Sequence, residues 1–270
     1  MQPKILFSDI DGTLLNDDRI FSNATISEFK RIKNKIPILL ISSRMPGAMV
    51  HLQKMASIEN FPIIAYNGGL IIVDEKLVST TEIDCNILEN IIAYNASAKV
   101  HLSLYNNDNW YVPGMDYWAK REINNTKTNP EVLSNNEVLK LWKKENKGAH
   151  KIMCMGNVED IDNLYTYLET NFKKQLHLYR SKSTYIEIAP AEISKKTAVE
   201  FILQNNYPQF NLNDAIAFGD NYNDIEMLKS VGYGVAVANA KKEVTECCKY
   251  TTLAGNKDGV AHFIQKHITI

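Results

Sequence analysis

The residues best suited to chemistry lie near the start of the chain, where Asp9 and Asp11 follow the apolar run of residues 4–8. Such a run predicts a buried strand, and residues two apart on a strand point to the same face. Gly12 then lets the chain turn without placing a side chain beside the carboxylates. Two carboxylates this close repel each other, and a shared proton or a bound cation relieves the repulsion. An acidic, glycine-containing turn without function has the same pattern, so the interpretation depends on matching groups elsewhere.

Further polar side chains that could act with these two carboxylates follow at the ends of other predicted strands and at the start of a predicted helix. Ser42 ends a second apolar run, and Asn67 ends a third before two glycines. Lys195 opens a predicted helix, and Asp220 and Asp224 follow a predicted strand at residues 215–218. The alternation of strands and helices predicts a parallel sheet, and open α/β sheets bind ligands at the carboxyl ends of their strands. We therefore expect all these groups to meet at one edge.

Together these groups suit phosphoryl transfer. A carboxylate approaches a phosphoryl group only when its charge is neutralised, and carboxylate oxygens suit Mg²⁺. Lysine at a helix N-terminus adds positive charge, and a serine hydroxyl donates to a phosphoryl oxygen. An aspartate can then attack as the nucleophile and form an acyl phosphate.

Each residue has an ordinary alternative when it is considered alone. Ser42 is more typical of a helix N-cap, Lys195 of a solvated helix, and Asn67 of a tight turn. Arg44 either contacts substrate or pairs with an acid, with no preference between the two. Asn239 is predicted to cap a helix at residues 240–248. The agreement of the whole set favours a site.

The segments resemble the haloacid dehalogenase superfamily of phosphohydrolases, in particular its Cof-like subclass IIB, which carries a large cap domain. The motifs that carry the resemblance stand in the family's order: Asp9-x-Asp11-Gly12-Thr13-Leu14, Ser42 before Arg44, Lys195 after Ile193-Ser194, and Gly219-Asp220-x-x-Asn223-Asp224.

The resemblance implies roles for the matching residues. Asp9 would be the nucleophile and a magnesium ligand. Asp11 would be the general acid and then the base, and its backbone carbonyl would also bind the metal. Asp220 would bind the metal, and Asp224 would do so directly or through water. The other implied residues are the phosphate-binding Ser42, Lys195 and Asn67 and the supporting Gly12, Ser43, Arg44 and Asn223.

Three positions depart from the family pattern. Ser42-Ser43 replaces the usual threonine-glycine, which keeps the hydroxyl and adds bulk beside the phosphate. Lys196 stands where glycine is usual, so two neighbouring lysines compete to face the site, and the register favours Lys195. Val237-Ala238 replaces methionine-glycine, which indicates a change in packing.

The predicted fold class is α/β, with a doubly wound parallel-sheet core and an inserted α+β cap domain. We place the core at residues 1–83 and 184–270 and the cap at residues 84–183, where strands and hairpins replace the regular alternation. The cap carries aromatic and cationic side chains that either read a leaving group or, more ordinarily, pack in the core or lie on the surface: Tyr105, Tyr111, Trp118, Lys151, Arg180 and Tyr185.

Composition limits the partners. The 270 residues are 45% hydrophobic and 23% charged with a net charge of −1, so no basic field favours nucleic acid or an anionic membrane. No apolar stretch reaches a membrane span, and no signal peptide is expected. The four cysteines lack zinc-site spacing, which favours a cytoplasmic protein with reduced thiols. The expected partner is a small phosphorylated metabolite, and nothing in the sequence favours a particular oligomeric state.

The sequence thus predicts a Mg²⁺-dependent phosphatase that hydrolyses small phosphate monoesters, such as sugar phosphates, through an aspartyl-phosphate. The alternatives are a phosphotransferase or mutase acting on sugar phosphates, and a phosphate-binding protein without turnover. A non-catalytic binder should have lost one of the central aspartates or the lysine, and all are present.

Overall fold

The computed structural model describes residues 1–269, which form two compact units. The first unit comprises Met1–Val78 and the chain from Ser194 onward, and the second is Ser79–Ile193. The second unit is therefore continuous in sequence, between the two segments of the first.

The strands are, in chain order, β1 (Ile5–Ser8), β2 (Ile38–Ile41), β3 (Ile63–Ala65), β4 (Leu70–Val73), β5 (Lys76–Thr80), β6 (His101–Asn106), β7 (Asn109–Val112), β8 (Glu131–Val132), β9 (Lys151–Met155), β10 (Leu176–Lys182), β11 (Tyr185–Pro190), β12 (Ala215–Gly219), β13 (Tyr233–Ala236) and β14 (Tyr250–Thr251).

The α-helices are α1 (Asn23–Ile32), α2 (Gly47–Ala56), α3 (Cys85–Ala98), α4 (Tyr117–Thr126), α5 (Asn135–Glu145), α6 (Val158–Phe172), α7 (Lys195–Asn205), α8 (Ile225–Ser230), α9 (Lys242–Cys247) and α10 (Gly259–His267). Single 3-10 turns occupy Tyr66–Gly68, Leu212–Asp214, Tyr222–Asp224 and Gly255–Lys257.

The first unit is built on an eight-stranded sheet of order β14-β13-β12-β1-β2-β3-β4-β5. The strands from β14 to β3 run parallel, and β4 pairs antiparallel to β3. Helix α7 packs on one face, where Val199 joins the core cluster of Phe7. Helix α10 packs on the other, where Phe263 lies edge-on to Phe218 with ring centroids 5.6 Å apart. Helices on both faces of a mostly parallel sheet confirm the predicted doubly wound core.

The second unit has a six-stranded sheet of order β10-β11-β9-β6-β7-β8. Its strand pairs are antiparallel except for β7 and β8. Helices α3, α5 and α6 contribute to one buried cluster against it, which includes Leu102, Trp142 and Leu164. This is the expected α+β architecture. Because β11 pairs with β9 and β10, the chain as far as Ile193 belongs to this unit, beyond the predicted limit at residue 183.

One stretch differs from the sequence-based expectation. The polar composition of residues 124–136 predicts irregular structure, but this run contains the end of α4, β8 and the start of α5. Ser134 caps α5 in a reciprocal capping box with Glu137. Only Val138, Leu139 and Trp142 of this helix are buried, so its apolar stripe is short and hard to recognise among the charged residues of the sequence.

Membrane insertion receives no support from the helices. Within residues 1–269, none combines the length and the apolar character that crossing a bilayer requires.

Candidate active site

Asp9 stands where β1 leaves the centre of the parallel sheet. Its backbone N–H donates to the Phe218 carbonyl at 3.0 Å, which continues the pairing of β1 with β12, and its side chain is almost fully buried. Gly12 follows with a φ of +85°, in the left-handed region that favours glycine. A Cβ at Gly12 would collide with the Asp220 carboxylate. The turn after Asp9 therefore approaches the end of β12 as closely as a glycine allows.

Lys195 opens α7 and is fully buried. Its Nζ lies 2.5 Å from Asp9 Oδ1 and 2.6 Å from Asp224 Oδ1. The neighbouring Lys196 side chain is 43% exposed and lies 3.7 Å from Glu200. The geometry therefore places Lys195, and not Lys196, against the acidic groups.

Two small features bring α7 to this position. Ser194 caps the helix in a capping box with Thr197, which fixes where the helix starts. Gly68 has a φ of +107°, and a Cβ there would lie 2.5 Å from the Ala198 Cβ. A larger residue at position 68 would push the helix, and Lys195 with it, away from the sheet edge.

Asp224 is fully buried and uses both oxygens within the protein. Oδ1 accepts from Lys195, and Oδ2 accepts the backbone N–H groups of Asp220 and Asn221 at 2.9 and 3.0 Å. Gly219 permits this fold-back, because a Cβ there would lie 2.5 Å from Asp224 Cγ. Asp224 therefore shapes the loop after β12 and pairs with the lysine.

The carboxylates of Asp9, Asp220 and Asp224 each offer an oxygen, and these oxygens lie within 4.8 Å of one another. Asp9 Oδ2 is buried and has no hydrogen-bond partner in residues 1–269. Burial raises the pKa of Asp9, and the charges of Asp224, Asp220 and Asp11 add to the effect against the opposing Lys195. Burial and the charge of Asp224 raise the pKa of Asp220 to about 7. The cluster sets three carboxyl groups against one ammonium, and its oxygen donors fit Mg²⁺.

Asp11 is held apart from this cluster by arginines. Arg44 Nε and Nη2 contact its two carboxylate oxygens at 2.7 and 2.8 Å, and Arg19 also contacts Oδ1. Burial opposes ionisation, but the hydrogen bonds and charge of Arg44, together with the charge of Arg19, lower the pKa of Asp11. Of the two alternatives for Arg44, the structure shows pairing with an acid.

The ends of β2 and β3 and the loop after β12 are joined by hydrogen bonds. Ser42 is buried, and its Oγ accepts the Arg44 N–H at 3.2 Å, while Ser43 beside it is half-buried. Asn67 has a left-handed φ of 57°, and its N–H donates to the Ser42 carbonyl at 2.8 Å. Asn223 Nδ2 donates to Asn67 Oδ1 at 3.2 Å. The predicted phosphate-binding and supporting residues thus lie along one edge of the first unit.

Three further residues contact this edge and were not among the predicted site residues. Thr13 Oγ1 donates to Asp220 Oδ1 at 3.1 Å, and only its place in the first motif pointed to it. Arg19 reaches Asp11 from a turn that carries no sequence signal of its own.

Asn239 was predicted to cap a helix, and that prediction is wrong: the cap is Lys241, without a side-chain hydrogen bond. The Asn239 side chain instead donates to the Gly12 carbonyl at 2.8 Å.

Known proteins resemble this chain over nearly its whole length. The model of the haloacid dehalogenase-like hydrolase family matches residues 6–264. A Haemophilus influenzae protein is 30% identical over 270 residues, covering 98% of each chain. The Bacillus subtilis 5-amino-6-(5-phospho-D-ribitylamino)uracil phosphatase YitU is 26% identical over 277 residues, covering 100% of this chain and 99% of its own. An X-ray crystal structure of a Thermotoga maritima protein has a TM-score of 0.86 at 27% identity, covering 99% of this chain and 98% of its own.

The chain belongs to the haloacid dehalogenase-like hydrolases, since the family model spans nearly its whole length. The resemblance inferred from the motifs, the fold class and the class of enzyme, a hydrolase of the phosphatase type, are confirmed.

Replacing the buried ammonium should destabilise the first unit. Lys195→Met leaves Asp9 and Asp224 buried without their shared cation, and we expect a loss of about 3 kcal/mol in the free energy of unfolding at pH 8. Lys196→Met removes an exposed charge and should change it by less than about 0.5 kcal/mol. Urea unfolding in chelator measures both variants. Equal losses would contradict the placement of Lys195.

Proposed function

We propose that this chain is a Mg²⁺-dependent phosphatase that hydrolyses small phosphate monoesters through an aspartyl-phosphate on Asp9. One observation carries the proposal. The Asp9 carboxylate is buried with Oδ1 held by Lys195, while Oδ2 has no hydrogen-bond partner within the described chain. A buried carboxylate oxygen without a partner costs free energy unless a ligand uses it, so the arrangement supports a role in binding and chemistry.

The residues for binding the phosphoryl group follow from this geometry. Lys195 lies beside the attacking carboxylate and would bind a phosphoryl oxygen, together with the hydroxyl of Ser42 and the amide of Asn67. Asp9, Asp220 and the backbone carbonyl of Asp11 would hold Mg²⁺. Both Asp224 oxygens are already hydrogen-bonded, so it would reach the metal through water. When bound, Mg²⁺ supplies positive charge that lets an anionic nucleophile approach an anionic phosphoryl group.

The chemistry itself falls to the two aspartates. Asp9 would attack phosphorus while the bond to the leaving oxygen breaks, and Asp11 would give that oxygen a proton. Asp11 would then take a proton from the water that cleaves the acyl phosphate, which restores both residues. In the arrangement described, Asp11 is bound by Arg44 and Arg19, so it suits the second, proton-accepting step as it stands. Donating a proton requires Asp11 to release these arginines first.

Support for the substrate class comes from a relative of this chain and not from the geometry of the site. The Bacillus subtilis relative is named for a substrate with a phosphorylated ribityl group, a small sugar-alcohol phosphate. We infer that residues 84–183, within the second unit, act as a cap that selects the leaving group of sugar phosphates or similar esters. All four cysteines are unpaired thiols, which supports a cytoplasmic place of action.

Replacing the nucleophile tests the proposed intermediate. Asp9→Asn keeps the side-chain shape, and we expect phosphate release from a panel of small esters to fall by about a thousandfold or more. Asp18→Asn, at an exposed position on the turn after the first motif, is the matched control and should keep its activity. Release from the panel by Asp9→Asn at the wild-type rate would sink the assignment. Phosphate passed to an added sugar hydroxyl instead of water would favour the phosphotransferase.

Metal removal tests the acidic cluster. Dialysis against chelator should abolish phosphate release, and added Mg²⁺ should restore it, because Mg²⁺ would supply the positive charge that lets an anionic nucleophile approach a phosphoryl group. Asp220→Asn should raise the Mg²⁺ concentration needed for half-maximal rate by about tenfold or more. Circular dichroism confirms that each sample stays folded. Undiminished turnover by the metal-free protein would contradict the proposal.

A further inference from the structure

The Asn239 side chain bridges two backbone groups that are far apart in sequence. Its Nδ2 donates to the Gly12 carbonyl at 2.8 Å, and its Oδ1 accepts the Gly255 N–H at 2.7 Å. A carbonyl only accepts and a backbone N–H only donates, so the bridge needs a side chain that offers one donor and one acceptor. A side-chain amide meets both requirements with one group.

The segment that carries Asn239 is also tied to the loop after β12. The Lys241 N–H donates to the Asp220 carbonyl at 2.9 Å, and the Val237 N–H donates to the Gly219 carbonyl at 3.3 Å. Residues 237–241 therefore contact both loops that carry the acidic cluster. One loop follows Asp9, and the other bears Asp220.

Gly255 lies close against the same turn. A Cβ there would collide with the Gly12 carbonyl and lie 2.7 Å from the Thr13 carbonyl. Thr13 in turn donates through Oγ1 to Asp220. The turn at residues 12–13 is thus contacted by Asn239, Gly255 and Asp220, and these contacts tie the two loops to each other.

We propose that Asn239 is a positioning residue that sets the separation of the Gly12 turn and Asp220, and through it the geometry of the cation site. The inference rests on the proposed function, because the turn begins at Asp11, whose backbone carbonyl is a proposed metal ligand. Asn239 is not among the proposed ligands of the metal or the substrate. It acts through the Gly12 carbonyl, one peptide beyond the Asp11 carbonyl.

The competing explanation is that Asn239 only fastens residues 252–258, the loop between β14 and α10, which we call the C-terminal loop. Asn256 offers a matched comparison, because it is also exposed and lies on that loop. Its Nδ2 donates to Asp17 Oδ1 at 3.0 Å, so it ties the loop to the turn after the first motif without contacting the Gly12 carbonyl. Loss of either amide removes one link from this loop, but only Asn239 bears on the cation site.

Calorimetric titration of the substrate-free protein with Mg²⁺ tests the proposal on Asn239→Ala and Asn256→Ala. We expect Asn239→Ala to weaken Mg²⁺ binding by about fivefold or more, the scale of one lost hydrogen bond. At saturating Mg²⁺ its kcat should fall by a similar factor while KM stays within about twofold. Asn256→Ala should stay within about twofold of wild type in all three quantities. Thermal unfolding of both variants reports any general loss of stability.

Unchanged Mg²⁺ affinity in Asn239→Ala would overturn the inference, as would equal losses in both variants. Gly255→Ala provides a second test, because its Cβ must displace the Gly12 turn; normal Mg²⁺ binding by this variant would also count against the inference. If the wild type itself bound no Mg²⁺, the proposed function would fail first, so the two failures are distinguishable.

Discussion

The ion cluster of Lys195, Asp9 and Asp224 is the interaction on which the rest of the first unit depends. The ammonium and the Asp224 carboxylate are fully buried, and Asp9 is nearly so. Charges removed from water are tolerated only when they are closely paired and hydrogen-bonded. The start of α7, the glycine at position 68 and the fold-back after β12 all serve this requirement, because each brings one member of the cluster within hydrogen-bond distance. A surface pair would impose no comparable constraint on the backbone.

Two carboxylates only two residues apart have opposite environments. Asp9 is buried and shares one ammonium with Asp224, and its pKa is raised. Asp11 faces two guanidinium groups, and its pKa is lowered. The strand ends at Ser8, and the two side chains then meet different partners before the chain turns at Gly12. As they stand, these shifts suit only the proton-accepting step, since a nucleophile must be ionised and a general acid must hold a proton. A cation at the acidic cluster would favour ionised Asp9, and release from Arg44 and Arg19 would let Asp11 take up a proton, so both proposed roles depend on ligand binding.

The sequence predicted the strands, which local apolar runs specify, and the polar groups that stand at the ends of those strands. Apolar runs located β1, β2 and β12, and the parallel alternation brought their polar ends to one edge. Helix α5 was not predicted, because its three buried residues lie among charged residues and give only a weak hydrophobic periodicity. Asn239 was misassigned because a polar residue before a helix usually caps it, whereas its partner Gly12 is 227 residues away. Arg19 escaped for a related reason: nothing local requires its side chain to reach back to Asp11. Contacts of this kind depend on how two turns meet, which local pattern does not encode.

Several of the least predictable contacts act on backbone atoms near the acidic cluster. Asn239 holds a carbonyl, and Gly255 approaches the same turn so closely that a side chain is excluded. Side chains can change rotamer when a ligand binds, whereas a backbone group moves only if its loop moves. A cation that bridges two loops would therefore depend on how firmly those loops are fixed to each other, and hydrogen bonds beyond the ligands would tune its affinity. On this argument the C-terminal loop belongs to the cation site although none of its side chains is a proposed ligand.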